Sequence, residues 1–201
     1  EALAVITEAV TMYRQLAAAP PRAFTAGLAG ALMNLSYDLT ELGRPEEALA
    51  AITEAVTMQR ELVAAHPDAF TADLAAALTL QSNALAALGR PEEALAASTE
   101  AVTVNRELAA RHAEQHALFA PSVAVSLVLQ ALRHAESGDF EGAVSADREA
   151  ALLLAALVSV DRERHRDMYE AAIRSLTAHL ERLGRTEQEI ADELDRLSRG
   201  E

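Results

Sequence analysis

The chain repeats itself every 46 residues. Glu1-Ala2-Leu3-Ala4 returns as Glu47-Ala48-Leu49-Ala50 and again as Glu93-Ala94-Leu95-Ala96, and residues 1–46 laid on 47–92 without gaps share about 31 identities. The segment Gly-Arg-Pro-Glu-Glu at 43–47 recurs at 89–93. A decayed form, Gly138-Asp139-Phe140-Glu141-Gly142, lies 49 residues beyond Gly89, and Gly184-Arg185-Thr186-Glu187 follows 46 further on. The three extra residues fit best near 113–117, between helices. A period of this size marks an array, in which each unit is one supersecondary piece that buries its apolar face against its neighbours.

Each unit reads as two long helices. Composition agrees: 51% of residues are hydrophobic but only 3% aromatic, and alanine dominates. Alanine has the best helix propensity, while the scarcity of aromatic and β-branched residues excludes a sandwich or barrel. Pro45 and Pro91 fit a first helical turn, where a missing N–H costs nothing, and Glu46, Glu47, Glu92 and Glu93 then suit the positive helix end. Arg14, Arg60 and Arg106 recur toward the other end of the same helix and read as the complementary dipole match. Gly43, Gly89, Gly138 and Gly184 are natural left-handed C′ residues. Asp68 is the expected N-cap of its helix. The apolar spacing predicts about nine helices, near 1–19, 23–42, 45–65, 68–88, 91–111, 117–137, 140–160, 163–183 and 186–199. The last is polar apart from a narrow stripe of Ile190, Leu194 and Leu197, as befits a terminal cap.

Charge narrows the function. Seventeen basic residues, all arginine, face 31 acidic ones for a net charge of −14. Phosphate binding needs a basic stripe, so nucleic acid is a poor partner. With no cysteine there is no disulfide framework, thiolate nucleophile or Cys-type zinc site. The longest purely apolar run, near 150–158, falls short of the ~20 residues of a membrane span. No signal peptide precedes the first helix, so a cytoplasmic location and no membrane partner are expected. The chain lacks an initial methionine and enters partway into a second helix, which reads as a piece of a longer array.

The unit resembles a tetratricopeptide repeat. That family's glycine and alanine fall on Gly43 and Ala48, on Gly89 and Ala94, and on Gly138 and Ala143, where Phe140 also supplies the family's aromatic. Its small first-helix residue falls on Ser36, Ser82, Ala131 and Thr177, and its later small residue on Ala55, Ala101 and Ala150. The period exceeds the usual 34, and leucines such as Leu32 and Leu39 replace the expected tryptophan and tyrosine. These departures resemble the long-helix branch, of which kinesin light chain is a member, and arrays typical of actinobacterial multidomain signalling proteins. The resemblance implies an all-α solenoid of antiparallel helix pairs, a TPR-like superhelix over 1–201, with units near 1–22 (partial), 23–67, 68–116, 117–162 and 163–201. It also implies a concave groove lined by the first helix of each unit. In that register the peptide- or protein-binding residues are Met33, Tyr37, Thr79, Asn83, Val128, Leu132 and Arg174, with inter-helix core as the competing reading for Met33, Val128 and Leu132. Met33 becomes Thr79 and Tyr37 becomes Asn83 between units that are otherwise near copies, as on a reading surface.

Signals for chemistry are weak. His112 and His116 lie four apart, but the segment lacks the metalloprotease glutamate and a third ligand, so no metal is expected. His165-Arg166-Asp167 mimics three letters of a kinase loop with none of its companions. The paired glutamates need only helix-dipole complementation. No catalytic residues, cofactor or metal are therefore assigned, and the chain is not expected to be an enzyme. Three roles follow. The first is an interaction module for a peptide or protein segment, including another domain of the same chain. The second is a sensor or autoinhibitory arm of a signalling protein. The third is a scaffold that homodimerises through an uncapped terminal repeat.

Overall fold

The computed structural model describes residues 2–17, 24–112, 114 and 116–200. Among them it shows nine helices and no strand: α1 (Ala2–Ala17), α2 (Thr25–Glu41), α3 (Pro45–Ala65), α4 (Pro67–Ala87), α5 (Pro91–Arg111), α6 (His116–Glu136), α7 (Phe140–Val160), α8 (Arg162–Arg182) and α9 (Glu187–Ser198). The protein is an all-α solenoid of antiparallel helix pairs. Helix boundaries fall within two residues of the expected ones, apart from positions outside the described residues.

The turns explain that agreement. Gly43, Gly89, Gly138 and Gly184 all have φ between +67° and +84°. At each, the glycine N–H and the N–H of the next residue turn back onto carbonyls of the last helical turn. Gly43 N donates to Thr40 O and Arg44 N to Leu39 O, and Gly89 and Arg90 repeat this with Ala86 and Leu85. Two orphan carbonyls per helix are thereby satisfied. Pro45, Pro67 and Pro91 each open a helix, where the ring's fixed φ suits the first turn.

Two N-terminal expectations change. Asp68 is not the N-cap of α4; that position is His66, whose side chain makes no capping bond, and Asp68 lies inside the first turn. Pro67 takes the first helical position and moves the start one residue earlier. True side-chain caps occur at Asp139, Asp161 and Thr186, the last in a reciprocal capping box with Glu189.

Contacts divide the chain into two compact units, Glu1–Val104 and Asn105–Glu201. In the first, α2 packs on α1 and α3, α3 on α4, and α2 also touches α4. Leu32, Ile52 and Leu78 are at most 1% exposed there, each contributing about 1.5–3 kcal/mol by leaving water. In the second unit α7 is central, packed against α6, α8 and α9. Leu154 and Ala172 hold one cluster, and Leu176, Ile190 and Leu197 another. The small residues Ser36, Ser82, Ala131, Ala55, Ala101 and Ala150 are all fully buried, which allows helix axes to approach closely.

One helix departs from the sequence reading of the apolar runs. Leu118–Glu136 of α6 is long and apolar enough to cross a membrane by length and composition, with 39% of that stretch buried in the fold. Ser122, Ser126 and Gln130 interrupt it, so a search for an unbroken apolar run passes over it.

Candidate interaction surface

Four side chains of the predicted groove belong to the first unit, on helices that touch. Tyr37 on α2 is 55% exposed and points an aromatic ring at solvent. Met33, one turn earlier, is half-buried against the core, and its sulfur accepts a 3.8 Å contact from Gln59 Nε2. On α4, Thr79 is half-buried and spends its hydroxyl on Ala75 O, and Asn83 is half-buried. The other three belong to the second unit. Leu132 on α6 is 46% exposed, Val128 packs beside Ala124 and Leu154, and Arg174 on α8 is exposed; the Glu170 carboxyl is held low chiefly by its bond to Arg166, with a small addition from the charge of Arg174. Met33 and Val128 are thus shared with the inter-helix core, while Tyr37, Leu132 and Arg174 face water.

Tyr37, Asn83, Leu132 and Ala178 occupy one register position of the repeat. Variation is nevertheless not confined to that face. Tyr13, Gln59, Asn105 and Leu154 also share a register position. Gln59, Asn105 and Leu154 are buried, and Asn105 Nδ2 donates to Ser126 Oγ at 3.2 Å. The core was varied together with the surface.

The arginines expected to complement helix dipoles have a different principal task. Arg14 reaches Glu54 at 2.5 Å, Arg60 reaches Glu100 at 2.8 Å, and Arg106 reaches Glu149 at 2.5 Å. Each links the second helix of one repeat to the second helix of the next. Arg60 does not even lie in the last turn of α3. The signal was in the sequence as a recurrent Arg-to-Glu spacing of 40 residues, widened to 43 where the repeat gains three. At the turns, Arg44 and Arg90 clamp Glu47 and Glu93 with two 2.7 Å bonds each, which holds both carboxylates below the usual range.

A buried polar cluster in the second unit escaped the motif search. Asp147 on α7 is 0% exposed. Its Oδ2 accepts from Ser175 Oγ at 3.0 Å and lies 2.7 Å from His179 Nδ1, both on α8, while Oδ1 is buried without a partner. Burial pushes the Asp147 carboxyl up, and the bonds from His179 and Ser175 pull against that. Serine and histidine meet the same carboxylate oxygen, so the hydroxyl proton is committed to Asp147 and the imidazole cannot withdraw it. That is not the wiring of an activated nucleophile. The clue was a core position that runs Ile6, Ile52, Ser98, Asp147 along the repeats.

His112 stacks on Phe119 at 5.2 Å between centroids, and the side chain of His116 lies outside the described residues. Among the described residues no three His, Asp or Glu side chains stand where they could hold a metal ion. His165 is buried in α8 while Asp167 is exposed, so this trio does not converge.

Fold and surface define the class as an all-α helical-repeat protein. No protein-family model matches the chain, and no curated protein matches it either. Among solved structures it is similar to the crystal structure of BtubC (BKLC) from P. vanneervenii, with 17% identity and a TM-score of 0.47 over 98% of this chain and 89% of that one.

Proposed function

We propose that the chain is a non-catalytic, TPR-like interaction module that binds a peptide or protein segment on the exposed faces of its first helices. The observation that carries the reading is the exposure of Tyr37 and Leu132 at one register position, within units whose turns and small-residue contacts are retained. A side chain that supports the scaffold is buried by it; these two are left in water and change identity from unit to unit. Large rigid side chains of this kind anchor extended or helical segments. The net charge of −14 favours fast encounter with basic segments.

The test is selection from a random peptide display library against the full chain and two helicity-checked double variants. Tyr37→Ala with Asn83→Ala alters the first unit, and Leu132→Ala with Arg174→Ala alters the second. A shared motif enriched on the wild type and lost on either variant supports the reading and assigns the unit. Equal enrichment on all three rejects these residues. No enrichment on any rejects peptide binding, and the sensor or autoinhibitory arm, with a folded partner, takes its place.

A further inference from the structure

The second helices of the repeats carry two different stripes, and one stripe has no counterpart in the fold. The first runs Ile6, Val10, Arg14 on α1 and returns as Ile52, Val56, Arg60 on α3, spaced four apart along one face. The second runs Ala51, Glu54, Met58, Leu62 on α3 and returns as Ala146, Glu149, Leu153, Leu157 on α7. Within the first unit the arginine of α1 bonds to the glutamate of α3, and Val10, Ile6 and Met58 share one hydrophobic cluster. Within the second unit Arg106 bonds to Glu149, while Ala146 and Leu157 are buried. The arginine stripe is therefore the donor face and the glutamate stripe the acceptor face of repeat stacking.

α1 carries an acceptor stripe too: Val5, Glu8, Met12 and Leu16. Here the side chains are in water. Val5 is 64% and Met12 56% exposed, against 8% for Ala51 at the position equivalent to Val5. Glu8 is exposed and forms no ion pair among the described residues. Among the described residues of α7 and α9 no arginine stands in the donor register. At the donor positions α7 has Asp147, Ala151 and Ala155, and α9 has Glu193 and Leu197, both already buried; the exposed Arg196 of α9 lies off that register and is held by Glu193 at 3.0 Å. Head-to-tail stacking of two copies thus lacks both the arginine and the apolar face.

We infer that the α1 stripe is a docking face for a helix pair of this same repeat type, whose second helix bears an Ile-x3-Val-x3-Arg stripe with its arginine on Glu8. This face lies on a second helix, so the inference stands apart from peptide binding by the first helices.

The test extends the full chain. A copy of residues 47–92 placed before Glu1 recreates the Gly-Arg-Pro-Glu-Glu junction and sets the copied Arg60 40 residues ahead of Glu8. Hydrogen exchange of the α1 amides is the readout. The expected result is slowing by about tenfold or more, loss of most of it in Glu8→Arg, and recovery when the copied Arg60 is changed to Glu. Exchange in α1 unchanged by the extension overturns the inference, as does protection indifferent to the charge swap. In the unextended chain, a concentration-dependent dimer abolished by Met12→Lys would give the face to a second copy instead. A monomer at all concentrations agrees with the inference.

Discussion

Replacing His179 with leucine isolates the energetics of the buried cluster. Asp147 is sealed from water, with one oxygen bonded to Ser175 and His179 and the other unpartnered. His179 stands 2.7 Å from the bonded oxygen, and its side chain is only 13% exposed. Removing one member of a buried pair leaves an uncompensated charge, at a cost of about 3–5 kcal/mol. The residual access of His179 to water places His179→Leu at the lower end, about 3 kcal/mol at neutral pH. The carboxyl pKa is raised by burial, so the folded unit binds the proton more tightly than the unfolded chain does. Its contribution is fully present below the ordinary value of about 3.9 and is lost as pH climbs through the raised value. Acid therefore shrinks the cost of His179→Leu, because Asp147 is then neutral in both states. In an Asp147→Ile background, which restores the residue type of Ile52, the cost should largely vanish. Urea unfolding followed by helical circular dichroism measures this, with constant m-values as the check on cooperativity. An equal cost with and without Asp147, or one independent of pH, would refute the coupling and leave His179 as packing alone.

Two glycine substitutions should act with opposite signs. Gly89→Ala forces a side chain into φ +67° and should cost about 1–2 kcal/mol. Gly30→Ala adds a methyl with nothing within 4 Å, at the register position of Ala76, and should stabilise by about 0.5–1 kcal/mol; thermal unfolding separates the pair. Asp139→Ala removes the side chain that accepts from Gly142 N at 2.9 Å and should cost about 1 kcal/mol at neutral pH. The Asp139 carboxyl is held low, chiefly by that backbone bond. Its contribution is present above the ordinary carboxylate pKa and lost as pH falls through the lowered value, so stability curves of the two proteins should converge in acid.

How far the sequence reaches can be seen residue by residue. The glycine turns, the starts at Pro45 and Pro91, the number of helices and the small-residue contacts at Ala55 and Ala101 were legible, because each depends on local backbone chemistry or on a period that the repeat writes out several times. Tyr37 and Leu132 were legible as positions, but their exposure, and the share of Met33 and Val128 in the core, depend on which neighbour each helix face meets. The arginines show the difference most directly. As single residues near a helix end they fit the dipole; only the packing of one repeat on the next joins Arg14 to Glu54 and Arg60 to Glu100, and so reveals Glu8 as an acceptor in water. Asp147 makes the same point in the core. A sequence can show that a carboxylate has replaced isoleucine, but the histidine and serine that meet it lie 32 and 28 residues away. Periodicity along one chain determines which helices form, whereas the side chains that meet across them are decided by tertiary contact, where distance in space replaces distance in sequence.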